Sequence, residues 1–284
     1  MPHKLTPVHV ILFVLTFFTT LLAGAMLSGV IPWETPGEIY QGLPFSLTLL
    51  LILITHELSH YFMSRRHNVS VTLPYFIPAP PFIFLIGTFG AIIKMKPPIF
   101  DRRALIDIGA SGPIGGFLVA VVAVIIGLSF SEVVPIEEIQ NIDGGLSLGS
   151  SILFSIITKI TLNINPEKYE VILHPVAFAG WIGFLVTSLN LLPIGQLDGG
   201  HIVYALFGER HKNIAMLTIP LLVILGVIFW PGWLIWAFLM IIIGYRHPPV
   251  IYPQIQLDRK RRVIGWVSLV IFILTFTPMP ISLL

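Results

Sequence analysis

The chain has no cysteine and few charged residues. Without cysteine it can form no disulfide and offer no thiolate to a metal, so any bound metal must be held by His, Asp or Glu. Soluble domains carry about 25% charged residues, whereas this chain of 284 residues has 11% charged and 55% hydrophobic residues. These values predict a membrane protein that crosses the bilayer several times. They leave little room for a soluble appendage and suggest no nucleic-acid partner.

Long apolar stretches predict the membrane spans, each of which needs about 20 residues. The predicted spans are residues 8–30, 43–63, 104–130, 172–192, 214–230, 233–245 and 263–276. The first stretch is too long for a signal peptide and lacks a cleavage site, so we expect it to remain as a span. The predicted fold is an all-α polytopic membrane protein with about six to seven transmembrane helices in a single domain, residues 1–284.

Two connections in the chain are themselves apolar. Residues 73–98 contain six prolines, which exclude a straight helix. We predict a membrane-associated β-hairpin or re-entrant loop there, packed against protein because irregular backbone in the bilayer is tolerated only against protein or water. A loop lying on the membrane surface is the alternative. In the second connection, which includes Asp143, residues 146–162 are expected to form an interfacial helix with Lys159 reaching toward the surface.

Basic and aromatic residues indicate the orientation in the membrane. With the amino terminus inside and seven alternating spans, fourteen of the sixteen Lys and Arg residues fall on one side, Lys4 and Lys96 among them. This distribution predicts a cell-membrane protein whose amino terminus and functional site face the cytosol. Trp230 and Trp233, in the turn between two apolar arms, are expected at a membrane interface.

The second predicted span carries His56, Glu57 and His60 in the pattern HExxH. Because the two histidines are four residues apart on a helix, their imidazoles project from one face and can share a tetrahedral zinc ion. Glu57 lies about 100° round the helix, where it can act on water held by that ion. A carboxylate between two histidines is costly to bury among Leu, Ile and Thr, which favours a functional role. A buried His/Glu cluster satisfied by neighbouring polar groups is the structural alternative.

A catalytic zinc site takes three protein ligands, so the histidine pair needs one more. Asp198 and Asp107 are the candidate carboxylates in or beside the spans. Asp198 is favoured because Pro193 interrupts the preceding helix and the glycines at 199 and 200 allow close backbone approach. Asp107, just inside the third predicted span, remains the competitor. Small residues such as Gly115 and Gly116 in that span allow another helix to come close, and close packing alone explains them.

HELSH in one span and NLLPIGQLDGGH near a later one resemble the site-2 protease family of intramembrane zinc metalloproteases. The family pattern, HExxH with a downstream NxxPxxxLDG, is matched in full. The resemblance covers roughly residues 43–204, the predicted catalytic core, and residues 213–284 would add carboxy-terminal helices. The chain is expected to be a compact form without PDZ or CBS domains.

The resemblance implies a role for each site residue. One zinc ion per chain would be held by His56, His60 and Asp198, with Glu57 as the catalytic base and acid and Asn190 as a donor to the oxyanion. The substrates would be single-pass membrane proteins, cut within or near their transmembrane segments. His201 is close enough in sequence to Asp198 to support it, although a structural role is also open.

Other readings of the same residues remain. A transporter or channel could use buried His and Glu to relay protons or metal ions, but it predicts further ionisable residues along the spans. A membrane-anchored HExxH peptidase acting in the cytosol would need a glutamate ligand on a soluble helix. A catalytically silent relative would lack one of His56, Glu57, His60 or Asp198, and all four are present.

Overall fold

A computed structural model describes residues 5–95, 99–139, 146–165 and 168–283. Lys4, Lys96, Pro97, Pro98 and Asp143, which entered the predictions above, lie outside the described residues. The chain divides into two compact units, described separately below. The first unit contains Met1–Pro97, Gly115–Val133 and Val171–Gly183, and the second contains Pro98–Ile114, Val134–Glu170 and Phe184–Leu284.

The described chain is mostly helical. Its α-helices are α1 (Pro7–Leu27), α2 (Leu43–Arg66), α3 (Arg102–Leu128), α4 (Ile136–Ile139), α5 (Ile152–Leu162), α6 (Pro175–Asn190), α7 (Asp198–Phe207), α8 (His211–Ile228), α9 (Gly232–Ile243) and α10 (Arg259–Thr275). Short 3-10 helices cover Pro36–Gly42 and Gly208–Arg210. The strands are β1 (Tyr75–Pro78), β2 (Thr88–Ile92), β3 (Glu132–Pro135), β4 (Leu146–Leu148), β5 (Tyr169–Ile172) and β6 (Ile281–Leu283). They form two-stranded sheets that pair β1 with β2, β3 with β5 and β4 with β6.

Four helical segments of the described chain are long and apolar enough to cross a membrane. They are Pro7–Leu27, Pro36–Arg66, Arg102–Leu128 and Asp198–Ile228. The first three correspond to predicted spans. The fourth differs from the prediction, because a single 3-10 turn joins α7 to α8 and the polar residues near 208–212 do not end the helical segment. α6 has 16 residues and is shorter than a usual span.

In the first unit, the β-hairpin formed by β1 and β2 packs along α1. Tyr75 pairs with Ile92 and Phe76 with Ala91 in an antiparallel register. His9 of α1 stacks on Tyr75 with ring centroids 4.2 Å apart. A side chain at Gly87 would meet the carbonyl of Thr19, so this glycine lets the hairpin loop approach α1 closely. The prolines that exclude a helix thus leave a hairpin held against the first helix.

The same unit joins α1 to α2 at small residues. Gly24 and Gly42 lie so close that a side chain at either would meet the other's backbone or its neighbours. About one helical turn from these glycines, the hydroxyls of Thr20 on α1 and Ser46 on α2 are 2.7 Å apart in a buried hydrogen bond. Such contacts allow two apolar helices to associate where lipid offers no hydrophobic driving force.

In the second unit, α8 and α9 form an apolar hairpin. Trp233 is fully buried in a cluster that includes Leu222 and Met240, and its indole N–H donates to the carbonyl of Pro278 at 2.7 Å. Trp233 therefore faces the protein interior, and the depth of the two tryptophans in the membrane stays a prediction. The polar N–H of Trp233 is satisfied inside the protein, which removes the reason for this indole to seek headgroups.

The predicted interfacial helix at 146–162 is shorter than expected. Residues Leu146–Leu148 form β4, which pairs with β6, and the helix α5 begins only at Ile152. The hydroxyl of Ser151 accepts a hydrogen bond from the backbone N–H of Phe154 at 3.2 Å and so caps the helix. Lys159 lies in the last turn of α5.

Candidate functional site

His56, Glu57 and His60 are buried together on α2. Their exposed fractions are 5%, 7% and 5%, and the Nε2 atoms of the two histidines lie 3.1 Å apart. A tetrahedral zinc ion with Zn–N bonds of about 2.0–2.1 Å separates two nitrogen ligands by about 3.3 Å. The pair is therefore already at the spacing that a shared zinc ion requires. Three buried ionisable side chains on one turn are costly in an apolar helix, which supports a functional role.

The glycines predicted to form a packing surface on α3 press against this motif. A side chain at Gly116 would lie 3.2 Å from Cβ and 3.3 Å from Nδ1 of His56. One at Gly115 would lie 2.5 Å from the hydroxyl of Ser59, which donates to the carbonyl of Thr55 at 2.7 Å. The small-residue pattern indicated close packing, and the structure shows that the packing is against the HExxH turn.

In the second unit, Asn190 and Asp198 bracket a tight linker. α6 ends at Asn190 and α7 begins at Asp198. A side chain at Gly199 would meet the carbonyl of Leu191, and the linker also passes through Gly195 with φ +55. These glycines let the linker fold back on the first turn of α7, as expected from the sequence. Asp198 is half-buried at the amino end of this helix, where the helix dipole favours a negative charge.

Asp107, the competing carboxylate, takes part in an ion pair. Its Oδ2 accepts from Nε of Arg261 at 2.9 Å and from Nη2 at 2.7 Å. The same guanidinium contacts Asp258, which caps α10 by accepting from the backbone N–H of Arg261. A charge-assisted pair of this kind accounts for a carboxylate just inside a span. Asp107 is thus explained without a metal.

Among the described residues, the candidate set for holding a metal ion is His56, His60 and Asp198, each of which offers one ligand atom. Glu57 and Asn190 are not part of this set. The motifs predicted the same three residues as zinc ligands, and the roles of Glu57 and Asn190 stay predictions.

A histidine cluster near His201 was not foreseen from the sequence. Nδ1 of His201 lies 2.7 Å from Nε2 of His247, and the ring of Tyr204 stacks on His247 at 4.4 Å. The ring of His211 is 5.9 Å from that of His247. Burial, together with neighbouring His201, lowers the pKa of His247 to about 3. The partners are 46 residues apart along the chain, so no local pattern could have indicated the pair.

The fold and this site define a class: a helical membrane protein with a buried HExxH motif suited to a metal ion. Residues 44–229 match the sequence pattern of peptidase family M50, and the chain belongs to that family. This confirms the resemblance to site-2 proteases that the two motifs predicted.

Several plant proteins are similar to this chain. "Probable zinc metalloprotease EGY1, chloroplastic" is 31% identical in Arabidopsis thaliana over 83% of this chain and 43% of the relative. The protein of the same name in Oryza sativa subsp. japonica is 30% identical over 85% of this chain and 41% of the relative. "Probable zinc metalloprotease EGY2, chloroplastic" of Arabidopsis thaliana is 31% identical over 66% of this chain and 32% of the relative. The chain thus spans less than half the length of these relatives, and no solved structure gives a significant match.

Proposed function

We propose that this chain is an intramembrane zinc metalloprotease that hydrolyses peptide bonds within or near the transmembrane segments of single-pass membrane proteins. The observation that carries the proposal is the buried HExxH turn of α2, whose two histidine Nε2 atoms lie 3.1 Å apart. Membership of a peptidase family and similarity to proteins named zinc metalloproteases support it.

His56, His60 and Asp198 would hold one zinc ion per chain, because two imidazoles and a carboxylate are a donor set that catalytic zinc accepts. Zinc bound there would supply Lewis-acid chemistry, which polarises a carbonyl and lowers the pKa of water to about 7. Both histidines are buried, at 5% exposure each, and a metal ion there would bind their neutral imidazoles.

Glu57 would take the proton from the attacking water and then deliver it to the leaving amine. Its burial at 7% exposure keeps bulk water away from that proton transfer. Asn190, at the last position of α6, would donate its side-chain N–H to the developing oxyanion. Asn190 is half-buried.

The β-hairpin would receive the substrate. A helical peptide hides its carbonyls in its own hydrogen bonds, so it must unwind before attack. β1 is covered by α1, and β2 contacts α2, the helix that carries HExxH. We propose that the outer edge of β2 binds the unwound chain by strand addition. The exposed apolar side chains Phe89 and Ile92 on β2 suit a hydrophobic substrate.

We also propose the topology expected from the sequence: six to seven spans, a hairpin that enters the membrane, and a functional site that opens toward the cytosol of a cell-membrane protein. The hairpin loop exposes Phe82 and Ile83, which supports contact with lipid. The basic residues at the ends of α2 and α10 support the orientation, because cytosolic ends of spans are enriched in Lys and Arg.

Glu57→Gln tests the function. The amide cannot take up the water proton, so cleavage of a membrane-embedded reporter should fall at least about a hundredfold. Zinc content, measured on the purified protein by elemental analysis, should stay at one ion per chain. A variant that keeps cleaving would end the protease proposal, and one with altered ion flux in proteoliposomes would favour a transporter.

Gly90→Pro tests strand addition. Gly90 lies within β2 at φ +94, a conformation closed to proline, and its N–H bonds the hydroxyl of Thr88 at 3.0 Å. Proline fixes φ at about −65° and would distort β2 and its outer edge, so cleavage should fall about tenfold, while zinc content stays unchanged. Gly29→Pro is the matched control. Gly29 also has a positive φ, +82, and a Cβ there would meet nothing within 4 Å, but it lies outside the hairpin. Equal losses in both variants would contradict the proposal.

A further inference from the structure

A cavity lies in the second unit, where the end of α7 meets the start of α10. Its volume is about 320 Å³, and its lining includes two arginines, Arg102 and Arg262, together with aromatic and aliphatic side chains. None of the described residues that line it is acidic. A basic pocket with apolar walls between membrane helices is the kind of site that receives a lipid headgroup.

Arg102 is held in place by the end of α7. Its Nε donates to the carbonyl of Ala205 at 2.7 Å and its Nη2 to the carbonyl of Leu206 at 2.8 Å. These bonds satisfy the carbonyls that a helix leaves unpaired at its carboxyl end. The remaining nitrogen, Nη1, has no hydrogen-bond acceptor among the described residues. A guanidinium fixed in this way can bind an anion without first being ordered.

Arg262 supplies a second positive charge from the first turn of α10. Its side chain is exposed, and within the described part of the chain it forms no hydrogen bond or ion pair. The adjacent Arg261 is different, because Asp107 and Asp258 both bind its guanidinium. Asp107 and Asp258 are thus paired with Arg261, which does not line the cavity, and the two arginines that do line it carry its positive charge.

An apolar surface leads away from the cavity along α10. The ring of Trp266 contacts that of Phe207 edge to face at 5.9 Å. Trp266 is 54% exposed, and Val270 and Ile273, one and two turns further on, are 52% and 58% exposed. Residues at this spacing share one face of a helix. The positive cavity and this face together match an anion that carries a hydrocarbon tail.

We propose that the cavity binds an anionic phospholipid. The phosphate accepts hydrogen bonds from Arg102 and Arg262, and an acyl chain lies along Trp266, Val270 and Ile273. Phosphate–guanidinium bonds are charge-assisted and geometrically selective, whereas the exposed apolar face would otherwise contact lipid without selectivity. The site is separate from the residues assigned to proteolysis and does not depend on them.

The test measures phosphatidylglycerol binding to purified full-length protein in phosphatidylcholine nanodiscs, by native mass spectrometry of the released protein. Wild type should retain phosphatidylglycerol, and Arg262→Gln should retain it about tenfold less tightly. Arg259→Gln is the matched control, because Arg259 also lies in the first turn of α10 but does not line the cavity. It should stay within about twofold of wild type. Trp266→Ser should weaken retention without changing charge.

Three outcomes would overturn the proposal. Equal losses in Arg262→Gln and Arg259→Gln would show diffuse surface charge instead of a site. Equal retention of phosphatidylglycerol and phosphatidylcholine would show no headgroup selection. Displacement of phosphatidylglycerol by an equal concentration of inorganic phosphate would show a site for small anions, with no part for the hydrocarbon tail.

Discussion

The two units satisfy their polar groups in different ways. In the first, helix hydroxyls bond mainly within their own helix, as Thr16 does to Leu12, Thr48 to Pro44 and Ser59 to Thr55. Helix hydroxyls of the second unit do the same, as Thr218 does to Ile214, but there charged and aromatic side chains also join elements that are far apart in sequence. These links are Arg102 to Ala205 and Leu206, Arg103 to Gln256, Arg261 to Asp107, His201 to His247 and Trp233 to Pro278.

This difference separates what a substitution should change. The first unit is held together by close apolar packing and glycine contacts, and its buried ionisable residues include His9 as well as the HExxH triad. The second unit is held together partly by long-range hydrogen bonds and an ion pair, so many of its polar residues are structural. A polar substitution in the first unit should mainly alter chemistry, and one in the second should mainly alter stability, with Asp198 as the exception.

The largest expected effect comes from comparing Asp198→Asn with Asp107→Asn, the same chemical change at the two candidate carboxylates. Asp198→Asn removes a proposed metal ligand, so zinc affinity should fall at least about a hundredfold and cleavage should be lost. Asp107→Asn weakens the pair with Arg261, so the free energy of unfolding should fall by about 2 kcal/mol while zinc stays bound. Elemental analysis and thermal unfolding in detergent distinguish the two. Loss of zinc in Asp107→Asn alone would reverse the assignment.

A smaller effect is expected at the glycines. Gly116→Ala places a methyl group 3.2 Å from Cβ of His56, so the imidazole must shift by a few tenths of an ångström and cleavage should fall about tenfold. Gly226→Ala in the second unit places a methyl group 2.6 Å from the side chain of Leu234. It should lower the free energy of unfolding by about 1–3 kcal/mol and leave the activity per folded molecule unchanged.

Gly37→Ala, which meets nothing within 4 Å, is the neutral control for both. Turnover and melting temperature should be measured on all three variants. If Gly116→Ala lowered stability and left turnover unchanged, it would contradict the expectation that changes in the first unit mainly alter the chemistry.

The smallest effect concerns pH. In the folded protein the pKa of His247 is lowered to about 3, from 6.5, by burial and by His201 and His211. Below about pH 6.5 the unfolded chain therefore binds a proton that the folded one does not, and stability should fall as pH drops toward 3. The melting temperature of wild type should decrease more between pH 7.5 and 5.5 than that of His247→Gln. If the melting temperatures of the two proteins fell equally with pH, His247 would not be the cause of the loss of stability in acid.

The sequence predicted the parts of the site that depend on local spacing. His56, Glu57 and His60 could be placed on one helix because the HExxH period matches the helical repeat. The break before Asp198 could be predicted because proline and glycine restrict or free the backbone in known ways. The first three long apolar helices followed from length and hydropathy alone.

What could not be predicted depends on contacts between distant segments. Asp107 remained a possible ligand until its bonds to Arg261, 154 residues away, were seen. The burial of Trp233 could not be predicted because its partner, the carbonyl of Pro278, belongs to a segment after the last helix. Residues 198–213 were not predicted to join the span that begins at 214 because a polar turn normally ends a span, whereas here a 3-10 turn continues the helical segment Asp198–Ile228.

The loop between β1 and β2 has a practical consequence for biochemistry. Phe82 and Ile83 are 70% and 83% exposed, and the ring of Trp33 lies 6.2 Å from that of Phe82. During purification this exposed apolar loop will bind the detergent that extracts the protein. The headgroup and chain length of that detergent then become experimental variables, because they can cover the hairpin or weaken its packing. Rates obtained in one micelle should accordingly be compared with rates in a second, chemically unrelated one.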